Sequence, residues 1–177
     1  MQVAAYGIIL EPVTEADLET VRRWRNADHV KMHMQYRDHI THAMQQSWFR
    51  SLDKSRNFYF MIQKESEKVG VVNLKDIDWN CKTAEAGIFI GEENYLNTLV
   101  PVLATVSIME YAFGTLQLKS LRAKISSGNQ KAIQFNENIG YQKLEEQASE
   151  GFDYYTTNEL SFREATKTIR KTLDKLK

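Results

Sequence analysis

Apolar and polar positions change their period several times along this chain, and the changes mark its elements. Residues 6–13 form a mostly apolar run, which predicts a first strand. Thr14 follows in the position of a helix N-cap, with Glu15 and Asp17 in the first turn, where carboxylates complement the helix dipole. Leu18, Val21 and Trp24 then recur at helical spacing, with Arg22, Arg23 and Arg25 interleaved. Residues 27–40 keep no period and are rich in Met, His and Tyr. Thr41 predicts a second cap, ahead of Met44, Trp48, Phe49 and Leu52 at helical spacing. Residues 57–63, 68–78 and 82–91 read as three strands separated by polar turns, an antiparallel meander.

Beyond that point the helical period dominates. Residues 98–113 predict a long, mostly apolar helix with Gly114 placed to end it. Residues 120–125 predict a short strand. Gly128 and Asn129 open another helix, which runs through Asn138 and is closed by Gly140. Residues 141–144 and 154–162 predict the last strands, and 163–177 a terminal helix. This order predicts one α/β domain over residues 1–177, a single mixed, mostly antiparallel sheet with helices on both faces.

Composition narrows the function classes. Hydrophobic residues make up 42% and charged residues 26%, as in globular chains and unlike disordered ones. Lys plus Arg equals Asp plus Glu, 23 each, so neither nucleic acid nor an anionic membrane surface is expected as a partner. One cysteine, Cys81, permits no intrachain disulfide and no thiolate metal cluster. His29, His33, His39 and His42 fall close together, but at no recognised metal spacing, so no metal is expected. No apolar stretch approaches the ~20 residues that span a bilayer, and the first residues do not read as a signal peptide. The expected location is cytoplasmic.

Several local patterns, taken in order, resemble the GNAT superfamily of acetyltransferases over nearly the whole chain. Trp24-Arg25-Asn26 ends the first helix. Gly70-Val71-Val72-Asn73-Leu74 precedes Asp76-Ile77-Asp78, and Glu85-Ala86-Gly87-Ile88-Phe89-Ile90 follows. Tyr111-Ala112-Phe113 ends the long helix. Asn129-x-x-Ala132-Ile133-x-Phe135-Asn136-Glu137-x-x-Gly140-Tyr141 is similar to the family's second cofactor motif. Within the superfamily the chain resembles the branch that acetylates nucleotide-linked amino sugars, including pseudaminic-acid pathway enzymes, and also the acetyltransferases of ribosomal-protein N-termini.

The resemblance implies that acetyl-coenzyme A lies between the strand carrying Ile88 and Ile90, which splays from its neighbour, and the helix start at Leu99, Val100 and Val102, with Asn129 alongside. It implies a small amine as acceptor, contacted by Arg25, Asn26, Tyr36, Arg37 and Asp76. Glu85, starting its strand on the acceptor side, is the first candidate for the base that keeps the amine neutral. Asp76 and Asp78, two apart on a strand, form a second candidate pair or a polar strand edge.

Two positions depart from the family. Its helix-start glycines are replaced in Leu96-Asn97-Thr98-Leu99-Val100-Pro101 by Leu99 and Pro101. Proline lacks the N–H that would bind a phosphate, and Asn97 or Thr98 can cap the remaining amides. Asn136 stands where relatives place a tyrosine thought to protonate the leaving thiolate. Asparagine donates a hydrogen bond but supplies no proton. Three readings therefore stay open: a small-molecule N-acetyltransferase, a protein N-terminal acetyltransferase, and a degenerate binding module. A homodimer is left open too.

Overall fold

The computed structural model describes residues 2–174. The predicted first strand is in fact a hairpin, β1 (Val3–Ala5) and β2 (Ile8–Pro12), folded at Tyr6 and Gly7 with φ of 55° and 71°. Two consecutive positive φ values make the tight turn that matches strand twist, and a tyrosine in the first of them gives no turn signal. A 3-10 turn at Glu15–Asp17 then leads into α1 (Leu18–Asn26). Thr14 donates its backbone N–H and its hydroxyl to Asp17 Oδ2, at 2.8 and 2.7 Å.

A short α2 (Asp28–Lys31) and a loop precede α3 (His42–Ser51), whose cap is Thr41 as expected, its hydroxyl accepting from Met44 N–H at 3.2 Å. The predicted meander is present as β3 (Phe58–Lys64), β4 (Glu67–Asp78) and β5 (Thr83–Ile90). The long helix is α4 (Val100–Glu110), which widens into a π turn at Tyr111–Thr115. After it come β6 (Ser120–Ser126), α5 (Gln130–Asn138), β7 (Gln142–Ser149) and β8 (Phe152–Asn158).

The chain ends in α6 (Glu159–Ala165) and α7 (Lys167–Asp174). The last predicted strand therefore stops four residues early, because Asn158 Oδ1 accepts Ser161 N–H at 2.9 Å and caps a helix. Phe162 turns inward from that helix and meets Phe113, ring centroids 5.8 Å apart. The terminal helix begins at 159 rather than 163 and breaks at buried Thr166; its predicted end at 175–177 lies outside the described residues.

All strands join one mixed sheet of order β1-β2-β3-β4-β5-β6-β8-β7. Among the described residues every pairing is antiparallel except β5 with β6. Phe60, Ile62, Val72, Leu74 and Ile90 point to the face covered by α4, forming the larger core. Alternation sends Met61 and Val71 to the other face, where they pack on Val21 and Trp24 of α1. Among the described residues, no helix is long and apolar enough to cross a membrane.

Candidate active site

The one parallel pairing is short. β5 and β6 match only through Thr83, Ala84 and Glu85 against Ser120, Leu121 and Arg122. Past Glu85 the strands part, so residues 86–90 of β5 and 123–126 of β6 face an open wedge. On the α1 side of the sheet, three cross-strand rows cross this region. Met61, Val71 and Phe89 form the first, Tyr59, Asn73 and Gly87 the second, and Lys75 with Glu85 the third, which continues to Arg122.

Above the first two rows lies a cavity of about 260 Å³, walled by Arg25, Tyr36, Met44, Trp48, Tyr59 and Phe89 among others. α1 supplies Arg25, the irregular segment supplies Tyr36, and α3 supplies Met44 and Trp48. Trp48 meets Tyr59 edge to face, with centroids 5.0 Å apart and planes at 86°. α1 is fixed over the sheet by Trp24, whose Nε1 donates to Glu92 Oε1 at 2.9 Å. The Trp24 ring lies flat on Gly91, where a β-carbon would come within 2.0 Å of Trp24 Cδ2.

The cavity's electrostatics are unusual. Arg25 Nε is buried and meets no hydrogen-bond acceptor among the described residues. Burial holds the Arg25 guanidinium below its ordinary pKa, and burial also pushes the Tyr59 phenol up. Beside it, Lys75 Nζ lies 2.8 Å from Glu85 Oε1. Burial is the largest single influence on Lys75 and disfavours its ammonium, but the hydrogen bond to Glu85 together with the charges of Glu85, Tyr59 and Asp76 leaves the Lys75 pKa raised. Glu85 thus lies in the third row with a cation on one oxygen.

Two other expected acceptor contacts, Asn26 and Arg37, bond to the backbone of the segment between α1 and α3. The Asn26 side chain clasps Ile40, donating to its carbonyl at 2.9 Å and accepting its N–H at 2.8 Å, which ties α1 to the loop before α3. Arg37 Nε donates to Met34 O at 2.9 Å and the residue is not part of the cavity wall. Asp76 stands near enough to the Lys75 ammonium and the Tyr59 phenol for its charge to act on both. A bulge with Asp76 at φ 52° interrupts the alternation and leaves Asp76 exposed. Asp78 Oδ1 accepts the N–H groups of Asn80 and Cys81, both at 2.8 Å, and the Cys81 bond holds its carboxyl below the usual range.

Of the four histidines, His29 pairs with Glu93 at 3.2 Å and His42 with Glu19 at 3.5 Å. Among the described residues, no group of three metal-ligating side chains stands together.

On the opposite side of the wedge, Ile90 is buried in the α4 core and Ile88 packs against it, so these two offer backbone rather than side chain. At the start of α4, Leu99 is 64% exposed, Val100 is buried and Val102 packs at the core's edge. Thr98 Oγ1 accepts Val100 N–H at 3.2 Å, and Pro101 has no N–H, so the first turn offers few free amides. Asn129 Oδ1 caps α5 by accepting Ala132 N–H at 3.1 Å. Asn136 Nδ2 donates to Ala132 O at 2.8 Å, one of its two amide hydrogens.

Tyr59, Trp48, Met44, Phe89 and Lys75 were not singled out by sequence. Their one signal was a tyrosine and a tryptophan at strand and helix positions otherwise read as core.

Residues 8–142 match the family described as the acetyltransferase (GNAT) domain. No curated protein matches in sequence. Solved structures match in fold. A nucleotide-linked sugar GNAT, FdhC in its apo form, superposes with a TM-score of 0.80 at 22% identity, covering 98% of each chain. A domain from Methanocaldococcus jannaschii DSM 2661 gives 0.75 at 24% identity, over 85% of this chain and 97% of the other. Spermidine N-acetyltransferase from Vibrio cholerae, in complex with CoA and spermine, gives 0.78 at 14% identity, over 88% and 98%.

Proposed function

The chain belongs to the GNAT acetyltransferase family, and on that premise we propose that it moves an acetyl group from acetyl-coenzyme A to the primary amine of a small anionic acceptor, a nucleotide-linked amino sugar. The observation that carries this reading is Arg25, an unpaired guanidinium nitrogen buried in the wall of an aromatic cavity. A buried guanidinium N–H without an acceptor is costly, and a diphosphate is its natural complement, since guanidinium binds phosphate oxygens in a bidentate fork. Trp48, Tyr36 and Tyr59 offer flat surfaces on which a nucleobase stacks. A polyamine would bring several positive charges to a wall whose described residues include an arginine and no carboxylate. The fold shared with a nucleotide-linked sugar GNAT over nearly all of both chains is consistent with this choice.

The wedge suits the cosubstrate's arm. Backbone groups of residues 86–90 have no β6 partner, so they are free to bond the amides of a pantetheine chain lying along them. The pyrophosphate is less well served, because Thr98 and Pro101 remove two donors from the start of α4. Binding of acetyl-coenzyme A is therefore expected to be weak. In the reaction, the amine attacks the thioester carbonyl carbon, the carbon–sulfur bond breaks, and the amine's proton must go to a base. Glu85 takes that proton, with Lys75 orienting its carboxylate. Asn136 contributes a hydrogen bond toward the departing sulfur. A thiol pKa near ~8.5 lets the thiolate leave without full protonation.

Acetyl-coenzyme A consumption, measured across nucleotide-linked amino sugars, spermidine and peptides with free N-termini, tests the proposal. Turnover is expected with the nucleotide sugars. Faster turnover of spermidine or of a peptide at matched concentration would overturn the acceptor class.

A further inference from the structure

Asn73 belongs to the middle of the three rows, between the Met61–Val71–Phe89 row and the Lys75–Glu85 pair, level with the first β5 residues that lack a β6 partner. Its Oδ1 is buried and meets no hydrogen-bond donor among the described residues. Its cross-strand partner is Gly87, and Asn73 is what a side chain at that glycine would meet first. A β-carbon there would lie 2.8 Å from Asn73 Oδ1, 3.3 Å from Nδ2 and 3.6 Å from Cγ, with no other residue's atoms among these nearest contacts. Gly87 has an ordinary negative-φ backbone, so the strand itself does not demand glycine. Space has been cleared beside the wedge for an amide whose oxygen the fold leaves unused.

We propose that Asn73 positions the acceptor amine, its Oδ1 accepting an N–H from the attacking nitrogen. This rests on the acetyltransferase reading of the same cleft. An amine keeps its lone pair for the thioester carbon and has N–H bonds to give, so an acceptor-only oxygen fixes its orientation. Asn73 as a whole is half buried, and a turn about its last torsion brings the oxygen to the exposed side. From there the nitrogen has Glu85 in the next row to receive its second proton. Asn73 is thus a selector for N–H-bearing nucleophiles as well as a support for the general base.

Asn73→Leu, which keeps the volume and removes the acceptor, is expected to lower kcat/KM for the amine about tenfold or more, with KM for acetyl-coenzyme A unchanged, since a buried hydrogen bond is worth about that factor. Asn73→Asp restores an acceptor and is expected to recover rate with a shifted pH profile. Gly87→Ala displaces the amide and is expected to reproduce the loss, yet to add nothing in an Asn73→Ala background, which separates loss of positioning from misfolding. Calorimetric titration of acetyl-coenzyme A reports that each variant still binds the cosubstrate. If wild type acetylates an amine and Asn73→Leu matches it in kcat/KM, or if the Gly87 and Asn73 losses add in full, the positioning role is overturned. If wild type acetylates no amine while binding acetyl-coenzyme A, the functional reading itself fails.

Discussion

Replacing Arg25 by methionine separates the stability of this protein from its choice of acceptor. Arg25 Nε sits in the wall of an aromatic cavity with no acceptor among the described residues, and burial already weakens the charged form. A buried donor left without a partner costs about 1–3 kcal/mol. Methionine keeps the long apolar stem that packs beside Val21 and Tyr59 and discards the unpaired group. Urea unfolding is therefore expected to show Arg25→Met as stable as wild type or more so, by about 1 kcal/mol, with an unchanged m-value. Activity is expected to move the other way. A charge-assisted bond to a phosphate is worth about 1.5–3 kcal/mol, which is roughly a 10- to 150-fold loss in kcat/KM for a phosphate-bearing acceptor. Against a phosphate-free amine the variant is expected to match wild type. Arg25→Lys should fall between, since an ammonium keeps the charge but loses the fork. The reasoning is refuted if Arg25→Met is destabilised by more than about 1 kcal/mol, which would mean the guanidinium has a partner. Equal losses for both acceptors would show that Arg25 shapes the cavity without reading an anion.

Pro101→Gly returns an N–H to the first turn of α4; calorimetry is expected to show acetyl-coenzyme A binding about tenfold tighter, as one added charge-assisted bond implies, and unchanged affinity would show that this turn does not meet the phosphates. Gly91→Ala drives a β-carbon into the Trp24 ring; urea unfolding is expected to register a loss of about 3 kcal/mol or more, and a near-neutral result would mean that α1 lifts freely from the sheet. Asp17, almost fully buried, pairs with Lys68 and Thr14. Burial pushes its carboxyl up, but the bonds from Lys68 and Thr14 outweigh this and leave the pKa lowered. A lowered native pKa means stability present above the unfolded value near ~3.9 and lost as pH falls through the native one. The destabilisation of Asp17→Asn is accordingly expected to be full at pH 7 and to shrink below about pH 4, and a penalty independent of pH would contradict the pairing.

Period and capping chemistry determined most of the architecture. The meander of β3, β4 and β5, the Thr41 cap of α3, the long apolar α4 and the Asn129 cap of α5 are local matters, written in spacing and in one or two side chains each. The ordered set of motifs was enough to point to the acetyltransferase family that residues 8–142 match. Glu85 and Arg25 could be singled out because a charge at a strand start, or on an apolar helix side, stands out in a sequence. The altered start of α4 was legible too, since Pro101 removes a donor whatever surrounds it.

Tertiary structure decided the rest, because each remaining point depends on what lies across the sheet. Tyr6 gives no turn signal, and only the pairing of β1 with β2 reveals the hairpin. Asn26 is a polar helix end in sequence, and only the fold shows Ile40, 14 residues away, closing on it. Asp76 and Asp78 are two apart in sequence, but a bulge makes that spacing meaningless as a guide to which face they share. The widening gap between β5 and β6 is a matter of register between strands that are distant in sequence, Thr83 pairing with Ser120. Asn73 and Gly87 become a pair only through that same register. A sequence shows what each residue can donate or accept; only the fold shows whether the partner has already been supplied.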